Sequence, residues 1–201
     1  MTALIGWTLL DQTSAAEPFT TETDGGVARV LWSDPPSDAR ARLRLFGRAF
    51  AVLDAFLPAS DSALALDPQR REALVRRMQG HAQLSIGLRV AQGAKPGQPG
   101  NGRAYLRARQ AVQRQHQAMC AQMVETLSTV MRDQVTDRRV LSFPTDVHAH
   151  YLVRRSEADH IRSDLVQMLR THPSCSGRGQ AVVTGPWPAS AAVWAEGSGR
   201  V

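Results

Sequence analysis

Cysteine, aromatic residues and lysine are all scarce in this chain of 201 residues. The two cysteines, Cys120 and Cys175, stand in unrelated contexts without the paired spacing of a zinc site, which excludes a disulfide framework and a structural zinc centre. Cys120 lies in an amphipathic stretch, where a thiol is a small apolar filler, and Cys175 lies in a polar loop. No apolar run reaches the roughly eighteen residues of a membrane span, and residues 1–10 lack a basic leader and a cleavage site, so a cytoplasmic protein without membrane insertion is expected. Phosphate-loop, nucleophile-elbow and His-Glu-x-x-His patterns are missing as well. Gly97, Gly100 and Gly102 mimic a phosphate loop, but Pro96 and Pro99 interrupt them and the stretch reads as a flexible connector. A catalyst needs polar groups converging on a pocket, and none is apparent, so the chain is expected not to be an enzyme and to need no cofactor or metal.

What is present suffices for a core. Hydrophobic residues make up 43% of the chain, enough for one large domain or two small ones. Charge is uneven: residues 1–36 hold five acids against Arg29, net −4, which leaves +10 for the rest of a chain of net charge +6. Of the 24 basic residues all but Lys95 are arginine. Such a balance could suit nucleic acid or an acidic partner, but biased composition and solvated helix faces are the preferred reading.

Apolar runs at residues 3–10 and 27–32 read as strands on either side of Asp24-Gly25-Gly26. Leu43, Phe46, Phe50, Leu53 and Leu57 recur at threes and fours, predicting a helix closed by Pro58. Asp67 followed by Pro68 opens a helix over residues 68–79, with Gly80 beyond its end. Leu84, Ile86, Leu88 and Val90 alternate as one face of a strand that ends in a loop from Gly93 to Gly102. Residues 103–135 contain neither proline nor glycine and keep helical spacing, the longest helix expected. Residues 139–143 and 148–154 form a predicted hairpin around Pro144-Thr145-Asp146. A helix follows from a Ser156/Asp159 cap to His172-Pro173, and a last strand spans residues 180–184. From residue 81 onward the order is strand, helix, strand, strand, helix, strand, the split βαβ of a ferredoxin-like unit. The expected fold class is therefore α+β with two subdomains, residues 1–80 (two strands, two helices) and a ferredoxin-like βαββαβ unit at 81–190, followed by a flexible tail at 191–201.

Three strings in the second half carry a resemblance: Gly102-Arg103-Ala104-Tyr105-Leu106-Arg107-Ala108-Arg109, Ala149-His150-Tyr151-Leu152-Val153 and Thr184-Gly185-Pro186-Trp187-Pro188. Together they resemble the signature of the GvpL/GvpF family of gas vesicle proteins. Ala3-Leu4-Ile5-Gly6-Trp7 is similar to that family's opening strand, and Leu57-Pro58 to the Leu-Pro after its first long helix. The chain departs from it after Pro188, where Ala189-Ser190-Ala191-Ala192-Val193-Trp194 replaces the family's Pro-Pro-Tyr-Ser-Phe, and after Pro58, where Phe-Gly is missing. The resemblance implies a cytoplasmic accessory protein needed for gas vesicle assembly. Its implied partners are the small hydrophobic shell protein and other gas vesicle accessory proteins, with retention as a minor structural component and no reaction.

Candidate protein-binding residues are Trp187, Pro186, Pro188, Tyr151 and Tyr105. Each proline fixes its own φ and restricts its predecessor, so the indole between them has a set direction. Trp187 is expected to fold back as a core cap, the alternative being an exposed anchor for a partner. Asp146, His148 and His150 share one face of a strand and read as its polar outward side in preference to a metal site. Arg103, Arg107, Arg109 and Arg114 read as the solvated face of a helix whose other side meets the sheet. The competing function is an RNA-binding module on the same topology, which would need exposed aromatic residues on the central strands.

Overall fold

The computed structural model describes residues 2–15, 17–34, 38–90, 102–143, 146–171 and 179–195. Its first half is a four-stranded antiparallel sheet in the order β2-β3-β1-β4, formed by β1 (Ala3–Leu9), β2 (Thr20–Asp24), β3 (Val27–Trp32) and β4 (Leu57–Pro58). Helices α1 (Ala39–Val52), α2 (Asp61–Leu64) and α3 (Pro68–Met78) accompany it. The second half is an antiparallel sheet in the order β6-β7-β5-β8, from β5 (His81–Val90), β6 (Val135–Ser142), β7 (Asp146–Arg154) and β8 (Gly179–Trp187), with α4 (Gly102–Val130) and α5 (Ala158–Thr171). That element order and strand order are those of a ferredoxin-like unit, and the fold is α+β as expected.

Local signals explain most boundaries. Asp38, Ser60 and Asp67 cap α1, α2 and α3 by accepting from the backbone N–H three residues on, as short polar side chains do at helix starts. Pro68 fits the first turn of α3, where its missing N–H has no intrahelical partner to lose. The helix expected to run to Pro58 instead ends at Val52, and Leu57 pairs with Trp7 as an edge strand. Helical spacing and a short apolar strand cannot be told apart there by periodicity. Strand β2 was not expected, because its sequence Thr-Thr-Glu-Thr-Asp is a polar edge with no buried side chain to set a period of two. Helix α4 stops at Val130, five residues before the predicted end, and β6 begins at Val135.

Gly6 shows why the opening strand needs a glycine: a Cβ there would lie 2.4 Å from the Leu57 carbonyl oxygen and 2.5 Å from the Phe56 ring. The register of β1 against β3 shifts between Leu4 and Gly6. This irregularity lets Ile5 face one core while Trp7 and Leu9 face the other.

The main core is continuous between the halves. Val30, Leu45, Phe50 and Leu53 from the first half cluster with Leu84, Ile86, Leu127, Tyr151, Ile161 and Leu165 from the second. Arg155 strengthens the junction by donating to the carbonyls at the end of α1, Nη1 to Leu53 at 2.8 Å and Nη2 to Ala51 at 3.1 Å, with its guanidinium 4.3 Å from the Phe50 ring centre. A smaller core lies on the opposite side of the first sheet, where Trp7, Leu9 and Leu57 meet Leu74, Val75 and Met78 of α3. At its rim Asp24 accepts from Trp7 Nε1 and from Arg71 Nη1, both at 3.0 Å. Partial burial works against the Asp24 charge, but the Trp7 hydrogen bond with Arg29 and Arg71 outweighs it and holds the carboxyl below its usual value.

Two expectations need correction. The tail over 191–201 begins with a short helix, α6 (Ala191–Trp194), whose Ala191, Val193 and Trp194 are buried in the smaller core. Three apolar side chains there supply the buried area that makes ordering favourable. The first buried residue among the described side chains of α4 is Cys120, so no described side chain between 102 and 119 supplies the expected sheet-facing side. The loop from Gly93, the Pro144-Thr145 turn, His172-Pro173, Cys175 and residues 196–201 lie outside the described residues. No helix among those described is long and apolar enough to cross a membrane.

Candidate functional site

The second sheet has two unlike faces. Ala82, Leu84, Ile86 and Leu88 of β5 lie opposite Val153, Tyr151, Ala149 and Val147 of β7, and all are buried in the core that contains α4 and α5. The other face carries Gln83, Ser85, Gly87 and Arg89 on β5, and Asp146, His148, His150 and Leu152 on β7. It continues through Arg139 and Leu141 on β6 and Val182 and Thr184 on β8. Among the described residues, the core that contains α4 and α5 lies on the opposite face, and Val182, Phe143 and Trp187 stand 55%, 47% and 44% exposed.

One end of the face is closed by the chain's own tail. At Gly185 the backbone takes φ +113, and a Cβ would sit 2.6 Å from the Gln83 carbonyl oxygen, so only glycine fits. The register of β8 against β5 shifts at this point, between Gln83 and Ser85. Pro188 and Ala189 then turn inward, and α6 lays Trp194 fully into the smaller core. Gln83 anchors the turn: its Oε1 accepts from Trp194 Nε1 at 2.8 Å and from the Ser190 backbone N–H at 3.1 Å. Its amide nitrogen donates to Ser85 Oγ at 3.0 Å, and Ser85 Oγ lies 2.8 Å from His150 Nδ1. The network thus gives Gln83, Ser85 Oγ, Trp194 Nε1 and His150 Nδ1 each a partner, as buried polar groups need.

His150 is the titrating member. Burial, and secondarily the neighbouring His148, pushes its pKa down to about 4, so the imidazole is neutral at ordinary pH and accepts at Nδ1. His148 packs edge-on against Phe143 at 5.3 Å between ring centres and lies 6.3 Å from His150. Asp146 pairs with Arg89 at 3.0 Å. No group of three potential metal ligands occurs among the described residues. On the edge strand, Arg139 Nε is enclosed without a hydrogen-bond partner.

The five candidate residues therefore separate. Trp187, on the register position opposite Gln83, is at the rim of the open face, and the core-capping role expected of it belongs to Trp194. Pro186 is half-buried and Pro188 buried, framing the indole. Tyr151 is 1% exposed on the helix-covered face, its hydroxyl 3.3 Å from Ser128 Oγ, so it is a core residue and not a surface anchor. Tyr105, 38% exposed, lies in the first turn of α4, in a stretch without a buried described side chain. Sequence reasoning missed Phe143 and Val182, which alternate outward on edge strands, and Gln83, whose role depends on residues more than a hundred positions later.

A groove of about 240 Å³ beside Tyr151 is lined by Glu125, Ser128, Arg132, Asp137 and Arg138. Most of its charges are matched, Arg138 to Glu125 at 3.3 Å and Asp137 to Arg77, while Arg132 has no ion pair among the described residues.

No protein-family model and no curated protein matches the sequence. Solved structures do match. The crystal structure of the gas vesicle protein GvpF from Anabaena sp. PCC7120 superposes with a TM-score of 0.58 at 10% identity, covering 93% of both chains. That of GvpF from Microcystis aeruginosa gives 0.58 at 11% identity, covering 93% of this chain and 96% of the other. Across both halves, this chain has the fold of the GvpF structures.

Proposed function

We propose that this protein is a gas vesicle accessory protein of the GvpL/GvpF type, acting in vesicle assembly without catalysing a reaction. The observation that carries the reading is the shared fold along 93% of the chain, which unites both halves in one arrangement and agrees with the three sequence strings. Fold by itself does not name a function, so the open face of the second sheet supplies the physical part. A small apolar shell subunit would aggregate before assembly, and a sheet face rimmed by Val182, Phe143 and Trp187 offers it an apolar partner. The unpartnered Arg139 Nε gives a docked chain one buried acceptor to supply. Retention as a minor component, and a cytoplasmic location at the vesicle, follow from the same reading.

An RNA-binding role is less well supported by this face. Its central strands present Ser85, Gly87, His148 and His150, and the aromatic rings that stack on bases are missing from them: Tyr151 points into the core and Phe143 and Trp187 sit at the edges. The test is capture of the purified shell protein by this chain, with Trp187→Ala and Val182→Asp as variants. Loss of capture in both variants at unchanged melting supports the reading. Failure of the unaltered protein to capture shell protein, with salt-sensitive copurification of RNA, would replace it by the RNA function.

A further inference from the structure

The first half of α4 is a second exposed surface. From Gly102 to Met119 the helix runs about 27 Å at 1.5 Å per residue, with no described side chain buried. Tyr105, Leu106, Val112 and Met119 are 38%, 57%, 36% and 40% exposed. Arg103, Arg107, Arg109 and Arg114 share this stretch, and the first acid of the helix is Glu125. None of the four arginines is in an ion pair among the described residues. Arg103 and Arg107 are four apart, a like-charge spacing that destabilises an isolated helix by a few tenths of a kcal/mol.

The sequence of that half says which kind of partner it fits. Tyr105, Val112 and Met119 are seven apart, with Ala108 between the first two and the polar Gln115 between the second two, the spacing of a helix–helix seam with one polar position. Arg109 flanks the seam, while Arg103, Arg107 and Arg114 lie on the opposite side and add positive potential without touching it. We propose that residues 102–119 dock an acidic amphipathic helix of another protein, which sets its apolar stripe on Tyr105, Ala108, Val112 and Met119 and a carboxylate against Arg109. A second copy of this chain is disfavoured, since it would bring four arginines onto four. A lipid surface calls for a broad apolar face, and here Arg109 and Gln113 interrupt it. RNA would need stacking rings, and Tyr105 is the one aromatic residue on this half.

The full-length protein can be titrated with a fluorescent helical peptide of about three heptads, leucine at the seam and glutamate at both flanks, and with a twin carrying lysine for glutamate. The glutamate peptide is expected to bind in the micromolar range, to weaken as salt rises, and to exceed its lysine twin by about tenfold or more. Val112→Asp should cut that binding by about tenfold at unchanged melting, and Arg109→Glu should turn the preference toward the lysine twin. Joint replacement of Arg103, Arg107 and Arg114 by glutamine should mainly slow association and flatten the salt dependence. Equal binding of both peptides, binding of neither, or indifference to Val112→Asp overturns the proposal. So does tighter binding of single-stranded RNA, or of vesicles with about one third phosphatidylserine. Shell-protein capture by Val112→Asp should stay intact, which separates failure of this inference from failure of the sheet-face reading.

Discussion

The two sheets are equal in strand number and opposite in how they are used. In the first, β1 and β3 are covered on both sides, by Leu45, Ala49 and Phe50 of α1 on one and by Leu74, Val75 and Met78 of α3 with Trp194 on the other. In the second, α4 and α5 cover one face, and on the other the described residues show closure where Gln83 and Leu152 lie beneath the tail. A sheet buried on both sides has spent its surface on stability, while a sheet buried on one side still has a face to offer. The tail makes the contrast sharper: it leaves the second sheet's edge strand and completes the first sheet's core.

The largest expected effect attacks that completion. Trp194→Ala should lower unfolding free energy by about 3–5 kcal/mol in denaturant melts, the cost of emptying a fully buried aromatic site. Unchanged melting would mean that the tail does not close the first sheet's second face. Next is Gln83→Leu, which leaves Trp194 Nε1 and the Ser190 N–H buried without an acceptor and should cost about 2–3 kcal/mol.

The His150 site responds to pH with a definite sign. A folded pKa of about 4 lies below the ordinary value of 6.5, so its stabilising contribution is full above pH 6.5 and is lost as pH falls toward 4. The loss should be about 2 kcal/mol, and His150→Gln should flatten that part of the pH–stability curve. A variant as pH-sensitive as the parent would show that the imidazole is not buried at the closed end of the face. The smallest expected change in stability is at the open rim. Trp187→Ala should shift unfolding by under about 1 kcal/mol while weakening shell-protein capture about tenfold or more. A large loss of stability there would make the open face part of the core and erase the difference between the sheets.

Much of this was legible in the amino-acid order because it is local. Asp67-Pro68 opens α3 by its own cap, alternation from Leu84 to Leu88 sorts β5 into inward and outward sides, and the proline-free stretch after Gly102 makes one long helix. Where local preference is silent or ambiguous, distant partners decided. Polar β2 exists because β3 pairs with it, and Leu57 is a strand residue because Trp7 lies across from it. Of the two tryptophans near the end, the proline-framed Trp187 is the cap expected from the sequence, yet Trp194 is the buried one. A glycine-permitted register shift at Gly185 and the side-chain amide of Gln83, far away in sequence, set that choice. Periodicity tells which side chains share a face, whereas burial of that face depends on what the rest of the chain brings to it. The sequence alone therefore determined the elements and their order, and tertiary packing decided which sheet face, and which half of the long helix, was left open.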